Sequence, residues 1–387
     1  MDDDKLTRIK AAFAREQISK PMARDAADIP VSYEAITPEW LTAVLCRHVA
    51  GAAVTAFRLD IPDSGTTNRR RIFLDYNATG ANAGLPASIF CKATHALKNR
   101  ILLSTAGIES EVRFYNEIRS MLDIDAPQAF FAGYDPESYA SIIVLRDMAG
   151  EVEFCSHRTL MGREAVESQL DLLATVHGTF YDSDLFRTRF ANTIRFCDRF
   201  HLLDRRNGIG TACANGFRAA EPVIPVRLTA RGDDVWSATL RAVDRHATLP
   251  DTLTHNDAHL KNWYLRKGSG ARPGMGLGDW QVSCRGHWSR DLAYAIGTAL
   301  EPEDRRALER DLVAYYLDRL AAAGGPPVLF EEAWRHYREQ MLSALAWWTM
   351  TLAPRPEMPD MQPEDTTLEF IRRLAVAIDD LNSLDVA

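Results

Sequence analysis

The chain predicts an α+β protein with a small antiparallel-sheet N-lobe and a larger, mainly helical C-lobe. Strand-like runs cluster between residues 54 and 145, helical periodicity dominates from Glu164 onward, and 387 residues are more than one minimal core requires. The expected organisation is an N-terminal extension at 1–35, the N-lobe at 36–147 and the C-lobe at 148–387.

The extension reads as a polar helix and a loop. Thr37 stands as an N-cap before Pro38 at the first helical position, and an apolar run to Leu45 follows, so a helix starts there. Residues 54–61 alternate as a strand, 62–68 turn, and 70–76 form a second strand. The Gly/Asn/Ala-rich stretch 77–84 predicts a hairpin loop, and 86–93 a third strand. Val112, Tyr115, Ile118 and Leu122 fall on one stripe, which predicts a helix over 110–122. The run 141–145 reads as a buried strand leading into Arg146-Asp147-Met148. An amphipathic helix over 165–180 contains His177. Residues 181–250 read as irregular to helical, and three helical segments at 304–323, 330–352 and 363–384 end the chain.

Composition excludes several classes. The chain is 46% hydrophobic and 25% charged, as in ordinary globular proteins. A net charge of -8 argues against a nucleic-acid partner. No apolar stretch approaches the roughly 20 residues of a membrane helix, and the acidic start Met1-Asp2-Asp3-Asp4-Lys5 lacks the apolar core of a signal peptide. Six scattered cysteines without a C-x-x-C pair argue against a zinc site or disulfide framework, so a cytoplasmic protein is expected. The sequence sets no oligomeric state.

Two acidic segments in the C-terminal half carry the chemistry. His255-Asn256-Asp257 with Asn262 has the pattern H-x-D-x-x-x-x-N, and Asp279, in Gly278-Asp279-Trp280-Gln281, ends a short predicted strand. Phosphoryl transfer from ATP needs such a set: a carboxylate for the acceptor hydroxyl's proton, and an amide and a second carboxylate for Mg²⁺. Asp257 is therefore the candidate catalytic carboxylate, with Asn262 and Asp279 as candidate metal ligands. Alone, Asp257 reads equally well as a turn residue; the spacing to the other two decides. His255 is expected to support the loop by hydrogen bonding rather than by proton transfer.

Lysine is rare, and between residues 21 and 260 it occurs only as Lys92 and Lys98. Lys92 follows the apolar run Ile89-Phe90-Cys91. A half-buried strand lysine needs a partner, and Glu111, ahead of Glu109 and Glu117, is the expected one. The pair would clamp nucleotide phosphate. The turn Ser64-Gly65-Thr66-Thr67-Asn68 lies where a loop over phosphates belongs, and reads equally as a plain hairpin turn. Asp147 and Met148 would offer backbone to the adenine edge. His177 is expected in the core or behind the site, Asp291 as a helix N-cap bracing the loop, and Trp347-Trp348 as core or pocket wall.

With these residues in hand, the chain resembles the aminoglycoside phosphotransferase / choline kinase superfamily. Asp279-Trp280-Gln281, Asp291-Leu292-Ala293-Tyr294, Glu111-Val112-Arg113-Phe114-Tyr115 and the Leu173-to-His177 helix look most like its ecdysteroid-kinase-like branch. The resemblance spans about residues 36–380. It implies a bilobal protein-kinase-like fold, ATP and Mg²⁺, and phosphorylation of a small-molecule hydroxyl. By carry-over it assigns the same roles to Asp257, Asn262, Asp279, Lys92 and Glu111. The nucleotide loop departs from a glycine-rich pattern. A protein kinase is excluded by the missing Asp-Phe-Gly and Ala-Pro-Glu motifs and by the short interval between Asp279 and Asp291.

The acceptor class follows from charge. Residues 181–250 hold 11 Arg and 8 Asp/Glu, so this stretch is positive inside an acidic chain. That sign suits a neutral or partly apolar alcohol, such as a sterol-, macrolide-, polyketide- or lipid-like molecule, better than a polycation. The alternatives are an aminoglycoside kinase, a choline/ethanolamine-type kinase using Trp288, Trp347 and Trp348 as a cation cage, and a non-catalytic nucleotide-binding protein.

Overall fold

The alternation of buried and half-exposed residues along the N-terminal strands builds one antiparallel sheet. A computed structural model describes residues 3–268, 270, 273–356 and 358–387; Met1 and Asp2, read above as part of the acidic start, lie outside the described residues. The chain divides into two units, the first comprising 1–119, 127–149 and 356–359, the second the remainder.

In the first unit, α1 (Asp3–Ser19) and α2 (Pro38–Leu45) precede β1 (Val54–Leu59), β2 (Asp63–Ser64) and β3 (Asn68–Tyr76). Then come α3 (Ala78–Asn82), β4 (Ser88–Ala93), α4 (Leu97–Ala106), α5 (Ile108–Arg113), β5 (Ala129–Tyr134) and β6 (Ser141–Arg146). The sheet runs β1-β3-β4-β6-β5, with β2 paired to β3. Ile142 and Val144 of β6 pack with Trp40 and Leu41 of α2, while Ile143 and Leu145 pack with Val112 of α5. Burial on both faces explains why this strand is continuously apolar. Thr37 caps α2 as expected, its Oγ1 accepting from Trp40 N at 3.1 Å. The extension is fastened: Glu16 of α1 pairs with the fully buried Arg100 of α4 at 2.6 Å.

Two sequence expectations need correction here. Residues 77–84 hold the short helix α3, because Asn77 Oδ1 accepts from Gly80 N at 2.9 Å and caps it. The predicted helix 110–122 is broken: α5 ends at Arg113 and a π-turn over Phe114–Ile118 follows. α4 and β5 escaped the sequence reading altogether.

The second unit contains β7 (Val152–Phe154), α6 (Arg163–Phe180), α7 (Phe196–Asn207), α8 (Ile209–Ala219), α9 (Val226–Thr229) and α10 (Gly232–His246). It continues with β8 (Thr252–Thr254), β9 (Trp263–Arg266), β10 (Met275–Leu277) and β11 (Cys284–Gly286). It ends with α11 (Ser289–Ala299), α12 (Pro302–Ala322), α13 (Phe330–Leu352) and α14 (Glu364–Asp380). Two small sheets, β10-β9-β7 and β11-β8, are set among these helices. Close crossing of α8 and α13 depends on Gly216, where a Cβ would stand 1.8 Å from Thr349 O. Residues 181–250 are thus mostly helical, and among the described residues no helix is long and apolar enough to cross a membrane.

Candidate functional site

The loop after β8 carries His255, Asn256 and Asp257, and it is held by one buried carboxylate. Asp291 accepts from His255 N at 2.6 Å, from Asn256 N at 2.7 Å, and lies 3.1 Å from His177 Nε2. His177 Nδ1 in turn meets Tyr316 Oη at 2.7 Å. These contacts let Asn256 adopt a positive φ of 67°, a conformation few side chains tolerate and Asn tolerates best. Asp291 sits inside the first turn of α11, whose N-cap is Trp288, so the brace expected of it is present and the capping role is not.

His255 links the two acidic segments. Its Nδ1 accepts from Asp257 N at 3.2 Å and its Nε2 meets Gly278 O at 2.8 Å. Burial lowers its pKa, so the ring is neutral and carries its proton on Nε2. Asn262 stands just before β9 and Asp279 just beyond β10. Trp263 pairs with Leu277 across that hairpin and Gly278 N donates to Asn262 O at 2.9 Å, so both candidate ligands lie at the same end. Asn262 Nδ2 donates to Asp257 O at 2.8 Å and to its Oδ2 at 3.2 Å. Asp279 has φ 59° and ψ 64°, a left-handed conformation. Burial works to raise the Asp257 carboxyl, but His259, His255 and Arg290 outweigh it and hold it down at about 2. That carboxylate is ionised at neutral pH, and too weak a base to deprotonate a free alcohol; it can orient a hydroxyl and receive its proton late.

The donor set suits magnesium. Asn262 spends its amide nitrogen on Asp257, which leaves its oxygen as a neutral hard donor, and Asp279 adds one carboxylate. One amide and one carboxylate oxygen, completed by phosphate and water oxygens, is a common Mg²⁺ environment.

In the first unit, Lys92 Nζ meets Glu111 Oε1 at 2.8 Å, with both side chains under a tenth exposed. Glu109 instead accepts from Tyr139 Oη at 3.2 Å. Of the predicted loop, Ser64 ends β2, Gly65 N donates to Thr67 O at 2.9 Å, and Thr67 is buried. Asn68 opens β3 and its Oδ1 accepts from His95 N and Ala96 N. Asn99 Nδ2 donates to Gly65 O and Thr66 O, both at 2.7 Å. Asp147 accepts from Arg71 Nε and Ser88 Oγ, each at 2.7 Å, and Met148 is buried.

Residues 163–339 match the family model described as a phosphotransferase enzyme family, abbreviated APH. That segment contains Asp257, Asn262, Asp279 and Asp291 together. The matched segment, just under half of the chain, is similar to that phosphotransferase family. Small-molecule phosphotransfer is the activity this likeness supports. No curated protein sequence matches it. A candidate aminoglycoside phosphotransferase from Ralstonia eutropha JMP134 is similar in structure at 13% identity, with a TM-score of 0.52, 89% of this chain covered and 97% of that one; it supports the kinase-like fold. The Plasmodium vivax ethanolamine kinase aligns at 12% identity and TM-score 0.44 over 84% and 81% of the two chains. The macrolide 2'-phosphotransferase MphH from Brachybacterium faecium aligns at 14% and 0.44 over 80% and 92%.

Several residues of this site escaped the sequence reading. Asn99, 33 and 34 residues from the two carbonyls it holds, carries no local signal. His259, 3.5 Å from Asp257 Oδ2, was visible in the motif but passed over. Arg290, fully buried, donates to Asn256 and Ser343 and lies 4.4 Å over the Tyr294 ring. A cavity of ≈ 330 Å³ among α8, α10 and α13 is lined by Phe217, Trp236, Leu345, Cys213 and Thr349.

Proposed function

We propose that this protein transfers the γ-phosphoryl group of ATP, with Mg²⁺, to a hydroxyl of a neutral or partly apolar small molecule. The observation that carries the reading is the common anchoring of Asp257, Asn262 and Asp279 at one end of the β9–β10 hairpin, on a loop whose amides are pinned by Asp291. Asp257 orients the acceptor hydroxyl and takes its proton as the new phosphorus–oxygen bond forms. Asn262 and Asp279 would hold Mg²⁺, which when bound offsets the charge of the phosphates. Lys92, fixed by Glu111, clamps phosphate oxygens. The turn 64–68 covers the nucleotide and the backbone at Asp147 and Met148 borders its base.

The acceptor class is supported by the positive balance of 181–250 and by the cavity among α8, α10 and α13, where Phe217, Trp236 and Leu345 stand beside Arg218, Glu221 and Asp233. The test is an acceptor screen: protein, ATP and Mg²⁺ with pooled steroids, macrolides, aminoglycosides, nucleosides, choline and sugars, read by mass spectrometry. A phosphorylated sterol- or macrolide-like product that vanishes with Asp257→Ala is expected. Efficient phosphorylation of an aminoglycoside or choline instead would overturn the acceptor class and leave the reaction standing.

A further inference from the structure

We propose that His259 and Tyr294, backed by Trp348, are positioning residues that hold the Asp257 carboxylate in the orientation in which it meets the acceptor hydroxyl. The inference rests on the reading of Asp257 as the catalytic carboxylate.

The starting point is an imbalance of polar atoms. His259, Tyr294 and Trp348 are buried to 3%, 1% and 2% exposure, from the loop, α11 and α13 respectively. They touch one another: the His259 ring lies 5.7 Å from Tyr294 at 71° and 5.0 Å from Trp348 at 62°. Phe370 of α14 closes the group, 4.6 Å from Trp348. A purely packed cluster of this kind would be built of Phe, Leu and Met, because a buried hydroxyl, indole N–H or imidazole costs about 1–3 kcal/mol when left unpaired. Here three polar rings surround one carboxylate.

His259 Nε2 lies 3.5 Å from Asp257 Oδ2, the oxygen that also accepts from Asn262 Nδ2 at 3.2 Å. The Tyr294 hydroxyl faces the same carboxylate and feels its charge. Trp348 turns its indole N–H toward the Tyr294 hydroxyl, and His259 Nδ1 is buried without a hydrogen-bond partner among the described residues. With the His259 proton on Nε2, that nitrogen faces Asp257 and Nδ1 can only accept. His259 and Tyr294 thus approach the carboxylate directly, and Trp348 packs on both. Together they keep the carboxylate from rotating, while Arg290 lies over Tyr294.

The experiment follows the slow hydrolysis of Mg²⁺-ATP, in which water stands in for the acceptor. The bond from the γ-phosphorus to the bridging oxygen breaks, the bond to the water oxygen forms, and the water proton leaves through Asp257 to solvent. Tyr294→Phe, His259→Leu and Trp348→Phe are each expected to lower kcat, by about 10- to 100-fold for the first two, the usual scale for groups that orient a catalytic residue. KM for ATP and Tm should hold, and His259→Gln, whose amide N–H still reaches Asp257, should recover part of the rate. Wild-type kcat in Tyr294→Phe and His259→Leu, alongside loss in Asp257→Asn, overturns the positioning role and leaves Asp257 standing. Retained hydrolysis in Asp257→Asn overturns the reading beneath it. Should His259→Leu fail to fold, Tyr294→Phe, which removes only the hydroxyl, decides. Nitrogen NMR of the wild-type imidazole gives a rate-free readout: a proton on Nε2 is expected, and one on Nδ1 overturns the positioning role.

Discussion

The Lys92–Glu111 pair separates what a residue does for the fold from what it does for chemistry. Both side chains are buried, at 7% and 5% exposure. Removing one partner of such a pair leaves an uncompensated charge and typically costs about 3–5 kcal/mol, whereas replacing both by apolar residues is often neutral or stabilising. Glu111→Ala is therefore expected to lower Tm markedly and to raise KM for ATP. The double variant Lys92→Met/Glu111→Leu is expected to regain most of the lost Tm and none of the activity. Thermal unfolding and ATP kinetics on the same preparations check this. A double variant that recovers activity would remove Lys92 from the phosphate clamp.

At the scale of elements, the loop that leads from β11 into α11 is held by a histidine that must stay neutral. His287 N donates to His246 Nε2 at 2.7 Å, and Gly286 leaves room there, since a Cβ would stand 2.8 Å from that same nitrogen. Burial, reinforced by the nearby Arg290, lowers the His246 pKa to about 3, and burial together with His246, His336 and His177 lowers His287 as well. Both rings have folded pKa values below the ordinary 6.5 of the unfolded chain. The unfolded state thus binds more protons between those limits, and stability falls as pH drops from about 6.5 toward 3. Tm measured across that range should decline. His246→Gln, which offers a non-titrating oxygen to His287 N, should flatten the slope; an unchanged slope would place the acid sensitivity elsewhere. Elements also mark where sequence legibility stops. The strands β3, β4 and β6 and helices α2, α6 and α13 were readable because each writes its own period or cap. The loop of Asp257 and Asn262 stood out as a candidate site because phosphoryl transfer demands particular residue types at fixed spacing. The break after Arg113 was not, since Val112, Tyr115, Ile118 and Leu122 keep helical spacing through the π-turn. Asn99 holding Gly65, and Asp291 holding His255, are contacts over 34 and 36 residues that no local pattern encodes.

For the whole molecule, nucleotide and metal should bind as one linked ligand, because Asn262 and Asp279 offer two oxygens and a Mg²⁺ ion needs the phosphates to complete its shell. A ligand that binds only the folded state at 100 times its Kd adds about 2.7 kcal/mol of stability, so ATP with Mg²⁺ should raise Tm by several degrees. ATP in EDTA, or Mg²⁺ alone, should raise it much less. The informative variant is Asp279→Asn. Asp279 adopts a left-handed backbone, which Asn accepts readily and Ala does not, so this change removes a charge and keeps the turn. Its Tm without ligand should match the native chain, while the increment from Mg²⁺-ATP shrinks toward that of ATP in EDTA. If the increment survives intact, the metal is held by other groups and Asp279 is a turn residue. If the unliganded Tm falls instead, the Asp279 carboxylate is part of the hairpin's own structure, and its place at the end of β10 reflects folding before it reflects chemistry.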